Sequence, residues 1–295
     1  RLRLSADYYH TVTDPLLVSM TMPPSLCFTS PYTNFGGQIS QGFSGTVMVN
    51  AIKRDDMRLN FNLSFNHSET QYKNIGNKLQ AMNEAASNNN SYRRYYDGGS
   101  PDDIWAVRSA GIDPATGQEI FIKKDGSYTY KYDSKDQVSC GDTNPTLQGS
   151  ISSMLQYKNF SLTASFSYRF GGEMYNSTRA LKVENVNPRK NCDVRAFTDR
   201  WTNVGDVKPY IDIAKATGNT SVYTDRFVEK DDELWLSSLY LQYNVPMTFL
   251  KKLHIQKMYL GIGTEDLFRI TSAKYERGTS YPFSRSINMS ASLTF

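Results

Sequence analysis

The stretch FSLTASFSYRF, residues 160–170, decides the fold. Phe160, Leu162, Ala164, Phe166, Tyr168 and Phe170 alternate with Ser161, Thr163, Ser165, Ser167 and Arg169. Side chains of a strand point to opposite faces in turn, so this segment is a ribbon with one apolar and one polar side. A second strand, 147–157, precedes it across Lys158-Asn159 alone, which predicts a hairpin.

The same period recurs outward in both directions. Strands are expected at about 2–12, 38–50, 57–69, 147–157, 160–170, 233–243, 253–264 and 284–295. In RLNFNLSFN, Leu59, Phe61, Leu63 and Phe65 stand opposite Asn60, Asn62, Ser64 and Asn66. The 233–243 segment is less regular, and 253–264 changes phase near Lys257, which predicts a β-bulge there. The final ten residues, SINMSASLTF, alternate without interruption and end on Phe295.

The connections alternate in length. Those near 51–56, 158–159 and 244–252 are short, whereas 13–37, 71–146, 171–231 and 265–283 are long. All long ones therefore fall at one end of the sheet. Loops of this length are uncommon in compact domains but usual on the outer side of membrane barrels. Within them, 74–87 reads as a short helix, 113–132 as a small hairpin turning at Thr116-Gly117 and Asp125-Gly126, and 173–183 as a second helix.

A soluble β-sandwich is the rival reading, with a secreted carbohydrate-binding role. Three features oppose it. Expected strands of 11–13 residues match a tilted bilayer crossing better than a globular sheet. The polar face carries mostly Ser, Thr, Asn and Gln, suited to a watery lumen. Aromatics (Tyr157, Phe160, Tyr168, Phe170, Tyr243, Phe295) sit at strand ends, where interface girdles form. The fold class is thus all-β, an antiparallel transmembrane β-barrel. An eight-stranded barrel has an interior only just filled by side chains, and rows of Ser and Asn would leave it hollow, so the strands form an arc of a wider barrel.

Composition excludes other classes. No apolar run approaches the ~18 residues of a spanning helix. A net charge of +4 with interspersed signs carries no nucleic-acid footprint. Cys27, Cys140 and Cys192 lack a CxxC, and His10, His67 and His254 lack metal-ligand spacing, so no metal or cofactor is expected. The acidic clusters Asp102-Asp103 and Asp231-Asp232-Glu233 read as solvated loop rather than paired catalytic carboxylates or calcium ligands. With no nucleophile-elbow, Walker or Rossmann pattern either, the chain is not expected to be an enzyme. The loop SYRRYYDGGSPDDIW (91–105) is the candidate ligand contact. Tyr92, Tyr95, Tyr96 and Trp105 suit stacking on sugar rings, and Arg93 and Arg94 suit donation to hydroxyls or a peptide carboxylate. The competing reading is that these side chains pack the loop.

Several segments, in order from about residue 34 to the end, resemble SusC/RagA-type TonB-dependent transporters of Bacteroidetes outer membranes. They are AGIDPATGQEIFIKKDG (110–126), GDTNPTLQGSISSMLQYKNFSLTASFSYRFGGEMYN (141–176), RWTNVGD (200–206), FVEKDDELWLSSLYLQYNVP (227–246), GTEDLFRIT (263–271) and YPFSRSINMSASLTF (281–295). Asp266 departs from the family's usual Asn before Leu-Phe. The resemblance implies about the last eight strands of a 22-stranded barrel, with the plug and amino-terminal domain outside this chain. It implies import of oligosaccharides or peptides, a SusD-like surface lipoprotein over the long loops, and energy from TonB. It also implies that the barrel-assembly machinery reads Phe295 as a terminal signal, although a girdle position accounts for the ring equally well. A non-specific porin, without plug or lipoprotein, is the remaining alternative.

Overall fold

Cross-strand pairing gathers the alternating segments into one antiparallel sheet. In the computed structural model, residues 1–19, 32–76, 79–88, 94–187, 192–216, 222–250, 255–273 and 285–294 are described. Eight long strands form the sheet: β1 (Leu2–Thr13), β2 (Gly37–Lys53), β3 (Met57–Lys73), β4 (Leu147–Tyr157), β5 (Phe160–Phe170), β6 (Glu233–Asn244), β7 (Lys257–Glu265) and β8 (Ile287–Thr294). Each pairs with the next in sequence. A three-residue strand, Arg269–Thr271, adds to the start of β6. At 17 residues, β2 and β3 exceed the 9–11 that a bilayer crossing needs, so both project beyond it. Phe295 lies outside the described residues.

Register explains the irregular strand. β6 has an extra residue, Ser237, because Ser165 pairs with Ser238 while Phe166 pairs with Leu236. This bulge returns Leu234 and Leu236 to the face that carries Leu239, Leu241 and Tyr243. A second bulge places Ala51 between paired residues Asn50 and Ile52 of β2. The bulge expected near Lys257 is not formed among the described residues. The phase change there marks the start of β7, with Ile255 and Gln256 still outside the strand.

Direct partners share a face, so the register assembles continuous rows. One runs Ile52, Leu59, Leu155, Leu162, Leu241, Ile262, Met289 across seven strands. Another runs Met57, Tyr157, Phe160, Tyr243, Leu260, Ala291 beside the short links, with the Phe160 and Tyr243 rings 4.7 Å apart. Away from the long-loop end, where Tyr168 and Leu236 are buried, this apolar side is open: Phe61 is 42% exposed, Leu293 47% and Met289 81%. A sandwich would bury these residues against a second sheet. The sandwich reading therefore fails. The two clusters of buried apolar residues lie in the loops and at the projecting end of β3 instead.

The opposite face is bound by small hydroxyls. Ser64 bonds Ser150 at 2.8 Å, Ser167 bonds Ser237 at 2.6 Å, and Ser40 bonds Thr70 at 3.0 Å. On the apolar side, Gly149 lets strands β3 and β5 share one contact. The Tyr168 hydroxyl crosses over it to donate to the Ser64 carbonyl at 2.9 Å, and a Cβ at 149 would strike both groups. Among the described residues β1 and β8 pair on one side only, and every residue of each is exposed. The eight-stranded sheet does not close on itself.

Candidate ligand-contact loops

The three connections 54–56, 158–159 and 245–256 are short and lie at one end of the sheet; the four long ones meet at the other. The first two long loops share a core of Val18, Tyr72, Ile75 and Leu79, with Leu16, Phe35, Met82 and Tyr95 packed against it. The helix expected over 74–87 forms at Gln80–Asn88.

The hairpin expected within 113–132 is part of a larger unit. Tyr128–Thr129, Glu119–Ile122, Asp103–Ile112 and Gln137–Asp142 pair in that spatial order. Its turns use Gly117 at φ 66° and Gly126 at φ 86°, conformations that favour glycine. The helix expected over 173–183 is replaced at its start by a strand, Glu173–Tyr175, paired with Val228–Lys230. Helical structure begins at Ser177, where Asn176 accepts a capping bond from the Arg179 N–H at 2.9 Å, and continues as a π-helix over Ala180–Glu184.

The second and third long loops are joined to each other. Val107 N–H donates to the Tyr223 carbonyl at 2.9 Å, Ser109 N–H to Asp225 at 2.9 Å, and Trp201 Nε1 to the Pro114 carbonyl at 2.9 Å. At the junction Arg226 donates to both oxygens of Glu119, at 2.7 and 2.8 Å, and to Glu184 Oε1 at 2.7 Å. These partners are 107 and 42 residues away, and no motif announced them. Burial pushes the Glu184 carboxyl pKa up, while the two carboxylates raise that of Arg226 against its own burial.

The candidate contacts divide. Tyr92 and Arg93 lie outside the described residues. Arg94 is buried, its guanidinium donating to Gln137 at 2.7 Å, and desolvation lowers its pKa. The Tyr95 ring packs on Tyr72, 5.2 Å between centroids, and its backbone exchanges bonds of 2.8 and 2.9 Å with the Asn83 amide. Those two side chains serve the loop's own packing. Tyr96 is different: 44% exposed, it stacks on Trp105 at 5.2 Å and 29°.

The acidic clusters divide: Asp102 is exposed in its loop as expected, whereas the cluster at 231–233 is not the solvated loop expected. Asp231 and Glu233 are buried, with Arg169 bound to both and Arg269 3.3 Å from Glu233. Pairing with two guanidiniums is what allows such carboxylates inside. Asp103 accepts from Ser100 N–H and Ser139 Oγ, both at 3.1 Å, and burial raises its pKa. His67 bonds the Thr146 carbonyl at 2.6 Å, and His254 lies outside the described residues. Among the described residues no cluster of His, Cys, Asp and Glu is disposed to hold a metal.

Cys140 is a free thiol, and Cys27 lies outside the described residues. Burial pushes Cys140 from 9.0 up to about 11. Its thiolate fraction near pH 8 is then about 100-fold below that of an unburied thiol. In full-length protein carrying Cys27→Ser and Cys192→Ser, iodoacetamide should alkylate Cys140 about 100-fold more slowly than an exposed thiol. A rate matching glutathione's would contradict the buried placement.

No family model matches the chain. It is 25% identical over 294 residues to TonB-dependent receptor P3 of Formosa agariphila, covering 92% of this chain and 28% of the relative. It is 22% identical over 320 residues to TonB-dependent receptor P39 of the same organism, covering 92% and 30%. The chain thus spans less than a third of these curated relatives. Among solved structures, it aligns with the RagAB peptide transporter at a TM-score of 0.76 and 20% identity, over 92% of this chain and 30% of that one. With the RagAB peptide importer in the open-open state the TM-score is 0.77 at 20% identity, over 100% and 33%.

Proposed function

We infer that this outer-membrane β-barrel chain, similar to the TonB-dependent receptors in sequence and to RagAB in fold, forms wall and outer loops of a TonB-dependent importer of oligosaccharides or peptides. One observation carries the reading: an unbroken apolar band faces outward across the sheet while hydroxyls and amides line the other side. That division suits lipid on one side and a water-filled passage on the other. The edges of β1 and β8, unpaired among the described residues, agree, because backbone groups left unbonded in lipid cost several kcal/mol each. Both edges call for further strands, and the wider barrel of the family provides them.

In this reading the chain performs no chemistry on its cargo. The long loops meet substrate first, with Tyr96 and Trp105 as the stacking platform, Tyr92 and Arg93 beside them in sequence, and Arg94 and Tyr95 holding the loop in shape. A SusD-like surface lipoprotein covers the loops, TonB acts through parts of the protein outside this chain, and the barrel-assembly machinery reads the terminal strand ending in Phe295.

The test is uptake by cells producing the full-length protein. Accumulation of a labelled oligosaccharide or peptide should require this protein and should vanish in a strain lacking TonB, and a lipoprotein should co-purify in detergent. Uptake that persists without TonB would replace the importer with a porin. A full-length protein that is monodisperse without detergent would remove the membrane reading altogether.

A further inference from the structure

The polar face of the sheet changes its charge from one end to the other. From the row Asn50, Asn60, Met154, Thr163, Tyr240, Gly263 down to the short links, its charged side chains are Arg1, Lys53, Arg58 and Lys257. No acid stands among them in the described residues. Arg3, one row further up, adds a fifth cation, and Glu265 in that row lies six strands away on β7. Asp55 and Asp56 belong to the first short link, where Arg54 and Lys158 of the links match them in number. The long-loop half is different. There Arg169 and Arg269 pair with Asp231 and Glu233, and Asp7 adds a further acid.

All five cations are exposed, and none forms an ion pair among the described residues. Lys53 stands directly opposite Arg58 across β2 and β3, and like charges so placed repel. Arg3, Arg1 and Arg58 occupy three successive rows of the polar face, so the positive stretch runs about 14 Å along the strands. Negative charge between Lys53 and Arg58 removes the repulsion, and a guanidinium fork takes a carboxylate in two parallel bonds. One small ion covers only part of such a stretch. An oligomer with several carboxylates engages it as a whole, through contacts individually weak enough to release it.

We propose that these five side chains form a cationic lining at the inner mouth of the passage and give the importer a preference for cargo carrying several carboxylates, on a peptide or on a sugar acid. The proposal rests on the import reading, which makes the short-link end the mouth toward the periplasm.

Full-length protein in detergent would be titrated by calorimetry with triglutamate and trigalacturonate, with trialanine and maltotriose as neutral counterparts and trilysine as the cation. At least one trianion should bind, more tightly than its neutral counterpart, and should weaken as sodium chloride is raised. Lys53→Gln combined with Arg58→Gln should weaken that trianion by about tenfold, the loss expected for two exposed ion pairs. Lys158→Gln removes a cation at the same end, but its Nζ lies over the Tyr157 ring on the apolar side, so binding should hold. All three residues are exposed, so these variants leave the buried clusters intact, and heat-modifiable migration on gels reports folding. Should the double variant fail to fold, Arg3→Gln with Lys257→Gln carries the comparison. Binding of neither trianion, binding unchanged in the folded double variant, an equal loss in Lys158→Gln, or preference for trilysine would each overturn the proposal. The trianion that binds more tightly identifies the source of the carboxylates. With TonB-dependent uptake intact, these failures would overturn the charge preference alone, whereas uptake that persists without TonB would remove the import reading itself.

Discussion

Ile151→Arg should destabilise the folded protein in lipid by about 2–4 kcal/mol, whereas Ser152→Arg, one residue further on, should cost little. Ile151 lies near the middle of β4, paired with Leu63 on one side and Phe166 on the other, and it is 41% exposed. In water a side chain that open tolerates a charge almost freely, within about 0.5 kcal/mol. In a bilayer the same position faces hydrocarbon, and the guanidinium must be dragged into it or distort the lipid. Ser152 stands among Asn62 and Ser165 on the other face, where water accepts the charge. Urea unfolding of the full-length protein in phospholipid vesicles measures both. Equal, small effects for the two substitutions would mean that the apolar side does not meet lipid.

Arg226→Met should open the junction between the second and third loops. The substitution leaves the Glu119 and Glu184 carboxylates buried without their shared cation, a change that costs about 3–5 kcal/mol. Amides of Glu119–Ile122 and Ala180–Glu184 should then lose protection from hydrogen exchange by roughly two to four powers of ten at pH 7. The pH dependence has a definite sign. The Glu184 carboxyl already sits above its ordinary value of 4.5 because of burial, and removing Arg226 takes away the largest opposing influence. The folded state therefore takes up a proton as pH falls through that raised value, and the protection lost at pH 7 should return in part toward pH 5. Arg226→Met combined with Glu119→Gln and Glu184→Gln should be less damaging than Arg226→Met alone. Unchanged exchange at neutral pH would mean that the loops are held by their backbone bonds alone.

Much of the barrel wall was legible along the chain because a strand's period of two is a local property. Phe160 to Phe170 display their two faces without help from any other segment. The irregular stretch at 233–243 needed its neighbour. Ser237 is an extra residue only with respect to β5, and a bulge is defined by a pairing that one strand cannot announce. The phase change at Lys257 shows the converse, since the local pattern was real but marked a strand's start.

The loops were legible in part. Turn glycines at 117 and 126 carry their own conformational signal, and both turns stand where the sequence puts them. Arg94 and Tyr95 looked like available side chains, yet Gln137, Tyr72 and Asn83 engage them from as far as 43 residues away. Asp231 and Glu233 looked like solvated charges for the same reason. Arg169 binds both and Arg269 adds a second cation at Glu233, but the closeness of Arg169 depends on strand β5 lying beside β6.

What the sequence determined by itself was the two-sided ribbon and the end of the sheet on which long loops gather, because side-chain alternation and connection length are properties of contiguous residues. Which charges are paired, that Tyr96 stays exposed against a half-buried Trp105, and that a cleft exists beside Glu184 were decided only when distant loops met. Burial and ion pairing depend on separation in space, and a chain folded through a barrel brings together residues a hundred positions apart.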